Sequence, residues 1–125
     1  MKKRILIIED EKYLSFLLTK SLIEEGFEVE EVTLGEAGLK KMKEQQFDLV
    51  LLDLLLPGID GFKVLTEMKK DPKLTSLPVI IVSNLGQKDD IERAKNLGAT
   101  EYFIKANVSL SEIVDKIKNI LKPSL

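Results

Sequence analysis

The chain has 125 residues, the size of one domain with one core. Hydrophobic residues make up 44% of it and charged residues 32%, with a formal net charge of -2, so nothing in this balance draws it to nucleic acid or to an anionic membrane. With no cysteine and no histidine it has no disulfide framework, no thiolate metal site and no imidazole base, which leaves carboxylates, lysines and hydroxyls for any chemistry.

Met1-Lys2-Lys3 before Ile5-Leu6-Ile7-Ile8 has the start of a signal peptide, but Glu9 and Asp10 end the apolar stretch well short of an h-region, and a cytoplasmic protein is expected. Arg4 to Ile8 reads as a β-branched strand. Lys12 to Glu25 reads as a helix, with Leu14, Leu17, Leu18 and Leu22 at helical spacing and Gly26 to end it. Phe27, Val29 and Val32, separated by glutamates, form a second, more polar strand. A second helix around Ala37 and Met42 runs to about Gln46 and includes Gly35-x-x-Gly38. Leu49 to Asp53 is the third strand. Past the Pro57-Gly58 turn, Phe62, Leu65 and Met68 mark a third helix that must stop by Pro72. Pro78 opens a fourth strand, Val79-Ile80-Ile81-Val82, where its missing N–H does little harm. Ile91, Ala94 and Leu97, followed by Gly98, give a fourth helix, on which Lys88, Asp89, Glu92 and Lys95 read as a solvated face. Tyr102-Phe103-Ile104 is a fifth strand, and Ser109-x-x-Glu112 is a capping box for a last helix.

Strict alternation of strands and helices predicts an α/β fold: a doubly wound parallel sheet with five strands, five helices and right-handed crossovers. The first, third and fourth strands are the most apolar and belong in the centre, while the glutamate-cut second and the short fifth suit edges. That is the flavodoxin-like order 2-1-3-4-5. There is no repeat or linker, and residues 1–125 read as a single domain ending just past the last helix, at Lys122-Pro123-Ser124-Leu125.

In such sheets the ligand site lies beyond the carboxyl ends of the strands. Those ends carry Glu9-Asp10, Asp53, Ser83 and Lys105. Asp53 is the residue to explain, because it interrupts the apolar run Leu49-Val50-Leu51-Leu52-Asp53-Leu54-Leu55-Leu56, and an ionised aspartate is rarely buried without a partner. Like charges about 5 Å apart repel by roughly 3 kcal/mol per pair at an effective dielectric near 20, so converging carboxylates need cations. Lys105 supplies one, and all-oxygen ligands suit Mg²⁺ or Mn²⁺ for the rest. Singly, each residue has a plainer reading: Asp10 as a helix cap, Asp53 as a turn former, Ser83 as a cap, Lys105 as a surface lysine. Four strand ends carrying matched polar groups favour the joint reading. No strand is followed by G-x-G-x-x-G or a Walker-type loop, so the glycines offer no rival phosphate cradle.

Glu9-Asp10, Asp53 within Leu51-Leu52-Asp53-Leu54-Leu55-Leu56-Pro57-Gly58-Ile59-Asp60-Gly61, Ser83, and Tyr102-Phe103-Ile104-Lys105 together resemble the receiver domain of two-component response regulators, over essentially the whole chain. The resemblance implies a phosphoacceptor rather than an enzyme, one that at most promotes its own phosphorylation and dephosphorylation. Asp53 would take a phosphoryl group from a histidine of a sensor kinase or phosphotransfer protein. Mg²⁺, with Mn²⁺ possible, would be held by Asp10, Asp53 and the backbone carbonyl of Leu55, and by Glu9 directly or through water. Lys105 would pair with a phosphoryl oxygen and Ser83 would donate a hydrogen bond to another. Ser83 and Tyr102 would form the switch, changing the face of helix 4, strand 5 and helix 5 for a downstream protein partner, with no direct contact to nucleic acid or membrane.

The sequence departs from the family pattern in several places. Glu9 stands for the commoner aspartate, and Ala106 stands where a proline usually follows the lysine in a cis peptide. A cis Lys105-Ala106 bond is expected by analogy, at about 2.5 to 4 kcal/mol. Asn84 replaces a small residue, and Leu55 and Leu85 make the pocket rim apolar, which is expected to hinder hydrolytic water.

Three other readings fit less well. A haloacid-dehalogenase-type hydrolase needs a second acid where Leu55 stands. A flavodoxin-like or nucleotide-binding module lacks its phosphate loop. A receiver degraded to a docking module would have lost the acceptor or the lysine, both of which are here.

Overall fold

A computed structural model describes residues 2–122 of the protein. Met1, which opens the signal-peptide question, and residues 123–125, which close the expected domain, lie outside the described residues. The elements alternate as β1 (Arg4–Ile8), α1 (Lys12–Glu24), β2 (Glu28–Val32), α2 (Gly35–Glu44), β3 (Leu49–Leu52), α3 (Gly61–Lys70), β4 (Val79–Ser83), α4 (Lys88–Asn96), β5 (Glu101–Ile104) and α5 (Leu110–Leu121). A 3₁₀ turn, Lys105–Asn107, joins β5 to α5. The strands pair in parallel in the order β2-β1-β3-β4-β5, as the alternation and the polarity of the edge strands require.

The central strands are continuously apolar because both their faces are covered. In β1 successive side chains point to opposite sides. Leu6 and Ile8 pack with Met42 of α2 and Val64 and Leu65 of α3, while Ile5 and Ile7 pack with Leu18 and Leu22 of α1 and Ile113 and Ile117 of α5. These β1 side chains have no exposed surface, and at about 25 cal/mol per Å² of buried apolar area this double core is the main source of stability. Gly38 lets α2 approach closely: a Cβ there would stand 2.3 Å from Cδ1 of Ile8.

Helix ends follow their local chemistry. Gly26 and Gly98 take left-handed φ values of 96° and 104° just past α1 and α4. Each closes a Schellman motif, with Phe27 N–H donating to the Leu22 carbonyl and Ala99 N–H to the Ala94 carbonyl. Ser109 and Glu112 form the expected capping box of α5. Helix α2 stops at Glu44, before the expected Gln46, because Arg4 claims the next two residues. Its guanidinium donates to the Gln45 side chain at 2.6 Å and to the Gln46 carbonyl at 2.8 Å. Arg4 also meets Glu30 at 2.9 Å and lies 4.8 Å from the centre of the Phe47 ring, tying β1, β2 and the loop before β3 together at the amino end of the sheet.

Candidate functional site

The parallel register puts the site together. Ile8 pairs with Leu52, so the next residues, Glu9 and Asp53, leave adjacent strands side by side. Asp53 N–H still donates to the Ile8 carbonyl at 3.0 Å, and Glu9 N–H to the Val32 carbonyl at 3.0 Å, which carries both backbones one residue past their strands. Both carboxylates are buried, at 3% and 4% exposure. Lys105 follows the Ser83–Ile104 pair at the end of β5. Its Nζ lies 2.9 Å from Asp53 Oδ2 and 2.9 Å from Glu9 Oε1. The second oxygen of each carboxylate accepts a backbone N–H, Leu55 onto Asp53 Oδ1 and Glu11 onto Glu9 Oε2, both at 3.0 Å. Asp53 therefore forms a turn and holds the ammonium at once. Asp10 is exposed, and its carboxylate stands with those of Glu9 and Asp53 so that one oxygen from each lies within 4.8 Å of the others.

The electrostatics show a surplus of negative charge. Burial pushes the Glu9 carboxyl up to about 7 and the neighbouring Asp53 charge adds to the rise, against the opposing pull of the Glu11 N–H and Lys105. Burial alone would lower the Lys105 ammonium, but its hydrogen bonds to Asp53 and Glu9 outweigh this and hold it above the ordinary lysine range. One ammonium does not neutralise this group. The donor set, three carboxylates at metal-ligand spacing, fits a hard dication such as Mg²⁺ or Mn²⁺.

The remaining sequence-predicted residues lie on β4 and β5. Ser83 is fully buried, and its Oγ accepts the Leu85 N–H at 3.3 Å rather than meeting Asp53 or Lys105. The half-buried Tyr102 donates its hydroxyl to the Leu85 carbonyl. Burial, followed by the charges of Asp90 and Asp53, pushes that phenol up to about 12, so it stays a donor at neutral pH. Leu55 is exposed on the rim and Leu85 half-exposed, and Lys88, Asp89, Glu92 and Lys95 are solvated as expected.

One expectation is overturned. The Lys105-Ala106 peptide is trans, as is every peptide among the described residues. The 3₁₀ turn over Lys105–Asn107 curls the chain back and delivers the ammonium to Asp53 at 2.9 Å without the cost of a non-proline cis bond.

Three contributions escaped sequence reasoning. Glu11, which carried no reading in the sequence, reaches Lys105 at 3.6 Å from the head of α1. The Leu85 peptide links Ser83 to Tyr102 through its two backbone groups, which carry no side-chain signature. Gly61 abuts the backbone after Asp53, where a Cβ would sit 2.4 Å from the Asp53 carbonyl oxygen and 2.7 Å from Leu54 Cα. The Pro-Gly turn and the nearby Asp60-Gly61 pair were its available signal.

Comparison with known proteins agrees with this geometry. The family description "Response regulator receiver domain" matches residues 5–118. The phosphate regulon transcriptional regulatory protein PhoB of Rhizobium meliloti is 32% identical over 122 residues, covering 98% of this chain and 53% of that protein. Sporulation initiation phosphotransferase F of Bacillus subtilis is 34% identical over 121 residues, 97% of this chain and 95% of that one. The chain thus spans about half the length of several curated relatives and nearly the whole of another. The crystal structure of the Mn²⁺-bound form of response regulator Rcp1 superposes with a TM-score of 0.86 at 29% identity, covering 98% of each chain. Receiver domains are phosphoacceptor signalling modules rather than conventional enzymes, generally bind Mg²⁺, and work with histidine kinases or phosphotransfer proteins. Strand order, acidic strand ends and sequence match all converge, and the chain belongs to the response regulator receiver domain family.

Proposed function

We propose that this chain is a signalling switch in which Asp53 accepts a phosphoryl group from a histidine on a sensor kinase or a phosphotransfer protein. The observation that carries the reading is the buried Asp53 carboxylate held 2.9 Å from the Lys105 ammonium beside two further acids. One Asp53 oxygen attacks phosphorus, the new P–O bond forms as the donor's P–N bond breaks, and the imidazole leaves with the donor. The Leu55 N–H holds Asp53 Oδ1 and fixes the carboxylate plane for that attack. Lys105 then exchanges its Asp53 contact for a phosphoryl oxygen. Glu9, Asp10, Asp53 and the backbone carbonyl of Leu55 are the residues to hold Mg²⁺, or Mn²⁺ in its place, which when bound neutralises phosphoryl charge and orients the transferring group.

Ser83 turns its hydroxyl from the Leu85 N–H toward the phosphoryl group. Because the Leu85 carbonyl holds Tyr102, that movement loosens or re-seats the aromatic ring on β5 and alters the α4, β5 and α5 face offered to a downstream protein. Catalysis is limited to the chain's own phosphorylation and dephosphorylation. The same proposal takes residues 1–125 as one receiver unit, supported by one continuous sheet and the match over residues 5–118. It places the chain in the cytoplasm, as the family's work with histidine kinases and phosphotransfer proteins suggests, with protein partners and not nucleic acid or lipid. Among the described residues no helix is long and apolar enough to cross a membrane.

The test is incubation with Mg²⁺ and a small acyl phosphate, read by intact mass. The wild type gains one phosphoryl group and Asp53→Ala none; equal gain in both removes Asp53 from the acceptor role. The apolar rim makes a second prediction. Replacing Leu55 and Leu85 together by polar residues shortens the phosphorylated lifetime severalfold, whereas an unchanged lifetime takes the rim out of the account.

A further inference from the structure

Resting on the phosphoacceptor reading, we propose that the Glu11 carboxylate, standing beside Lys105, discriminates phosphoryl donors by their net charge. Lys105 has three carboxylate neighbours of two kinds. Glu9 and Asp53 touch it at 2.9 Å with side chains 4% exposed, and each is also held by a backbone N–H. Glu11 meets it at 3.6 Å with a side chain 57% exposed. Glu11 occupies the N-cap position of α1, yet its carboxylate makes no capping bond to the helix and turns to Lys105 instead. Its backbone N–H is meanwhile fixed on Glu9. The main chain at this residue is therefore tied to Glu9, while its side chain is exposed beside Lys105.

Glu11 and Lys105 also line a cleft of about 510 Å³ whose walls include Leu14, Leu17, Val108 and Ile113. Because Glu11 and Asp53 meet the same ammonium, the Glu11 charge stands close to a phosphoryl group arriving at Asp53. An exposed ion pair at this distance is weak, so displacing it is easy. The repulsion it exerts on an arriving phosphoryl group is not screened away at ordinary salt, where the Debye length is about 8 Å. A small dianionic acyl phosphate feels that repulsion in full. A donor that carries its own positive charge beside phosphorus, as a protonated phosphoimidazole or a zwitterionic phosphoramidate does, feels less of it.

The variant is Glu11→Gln, which keeps side-chain length and the N–H on Glu9. In saturating Mg²⁺ its uptake from a dianionic acyl phosphate rises about threefold to tenfold, and uptake from phosphoramidate rises less than half as much. The gap between the donors closes at about 1 M salt, where the Debye length is about 3 Å. Equal factors for both donors, a gap that ignores salt, or no change in either rate overturns the proposal, since a purely structural role has no reason to sense donor charge. A second readout needs no transfer. Inorganic phosphate titrated onto the Mg²⁺-loaded protein, followed by amide resonances of residues 53–55, binds about threefold to tenfold tighter to Glu11→Gln. Unaltered phosphate affinity also overturns it. Phosphoryl uptake by Asp53→Ala overturns only the acceptor assignment and leaves this titration to decide the role of Glu11.

Discussion

At the amino end of the sheet Arg4 faces Glu30 at 2.9 Å and Glu28 at 3.8 Å, and Lys41 joins Glu30 at 3.0 Å. At the carboxyl end Lys105 faces Glu9 and Asp53 at 2.9 Å and Glu11 at 3.6 Å, with Asp10 nearby. The ingredients are alike, but the surroundings are not. The Arg4 cluster is about a third exposed, has two cations for its acids, and adds neutral acceptors and an aromatic ring. It holds loops in place. Lys105, Glu9 and Asp53 are buried and short of positive charge, so the acids press on one another. The difference teaches that a cluster keeps unbalanced charge when burial removes more water than its partners replace.

The strongest way to break the comparison is to remove the cation at each end. Lys105→Met leaves two buried carboxylates without their ammonium and costs about 3 to 5 kcal/mol of unfolding free energy at pH 8 in chelator. Mg²⁺ restores much of that loss. A cost below about 1 kcal/mol in denaturant melts would show that the acids do not depend on Lys105.

Next comes pH. The native Glu9 carboxyl, raised from 4.5 to about 7, binds a proton more tightly than in the unfolded chain. Between those values the native state holds more protons, so in chelator stability falls as pH rises through the window, and Glu9→Gln flattens the slope. Mg²⁺ reverses the trend, because ligands bind it in their ionised form. A wild-type profile in chelator that rises over this range contradicts the charge surplus.

The smallest effect belongs to the amino end. Arg4→Ala loses about 1 kcal/mol, because surface pairs and one cation–π contact are worth little each. It leaves phosphoryl uptake unchanged, with or without added salt. Loss of uptake in this variant would mean that the two ends are coupled through β1 rather than independent.

Much of this was legible before any coordinates. Apolar runs broken by turn residues placed β1, β3 and β4 within a residue or two, because a strand buried on both faces must be apolar throughout. Gly26, Gly98 and the Ser109–Glu112 box marked helix ends because their roles are local and backbone-driven. Asp53, Glu9, Asp10 and Lys105 stood out because charge at the end of a buried strand demands a partner. The end of α2 was misplaced because Arg4, distant in sequence, competes for Gln45 and Gln46. The peptide after Lys105 was misjudged because family habit was carried to a chain lacking the proline.

The order of residues by itself determined the alternation, the central strands, the acidic strand ends and the single lysine that answers them, since each follows from periodicity or from the cost of burying charge. Only the folded chain decided which atoms meet: Glu11 turning to Lys105, the Leu85 peptide joining Ser83 to Tyr102, and the 3₁₀ turn that aims the ammonium. Those are matters of distance between segments remote in sequence, and backbone groups that every residue shares leave no mark in the letters of a chain.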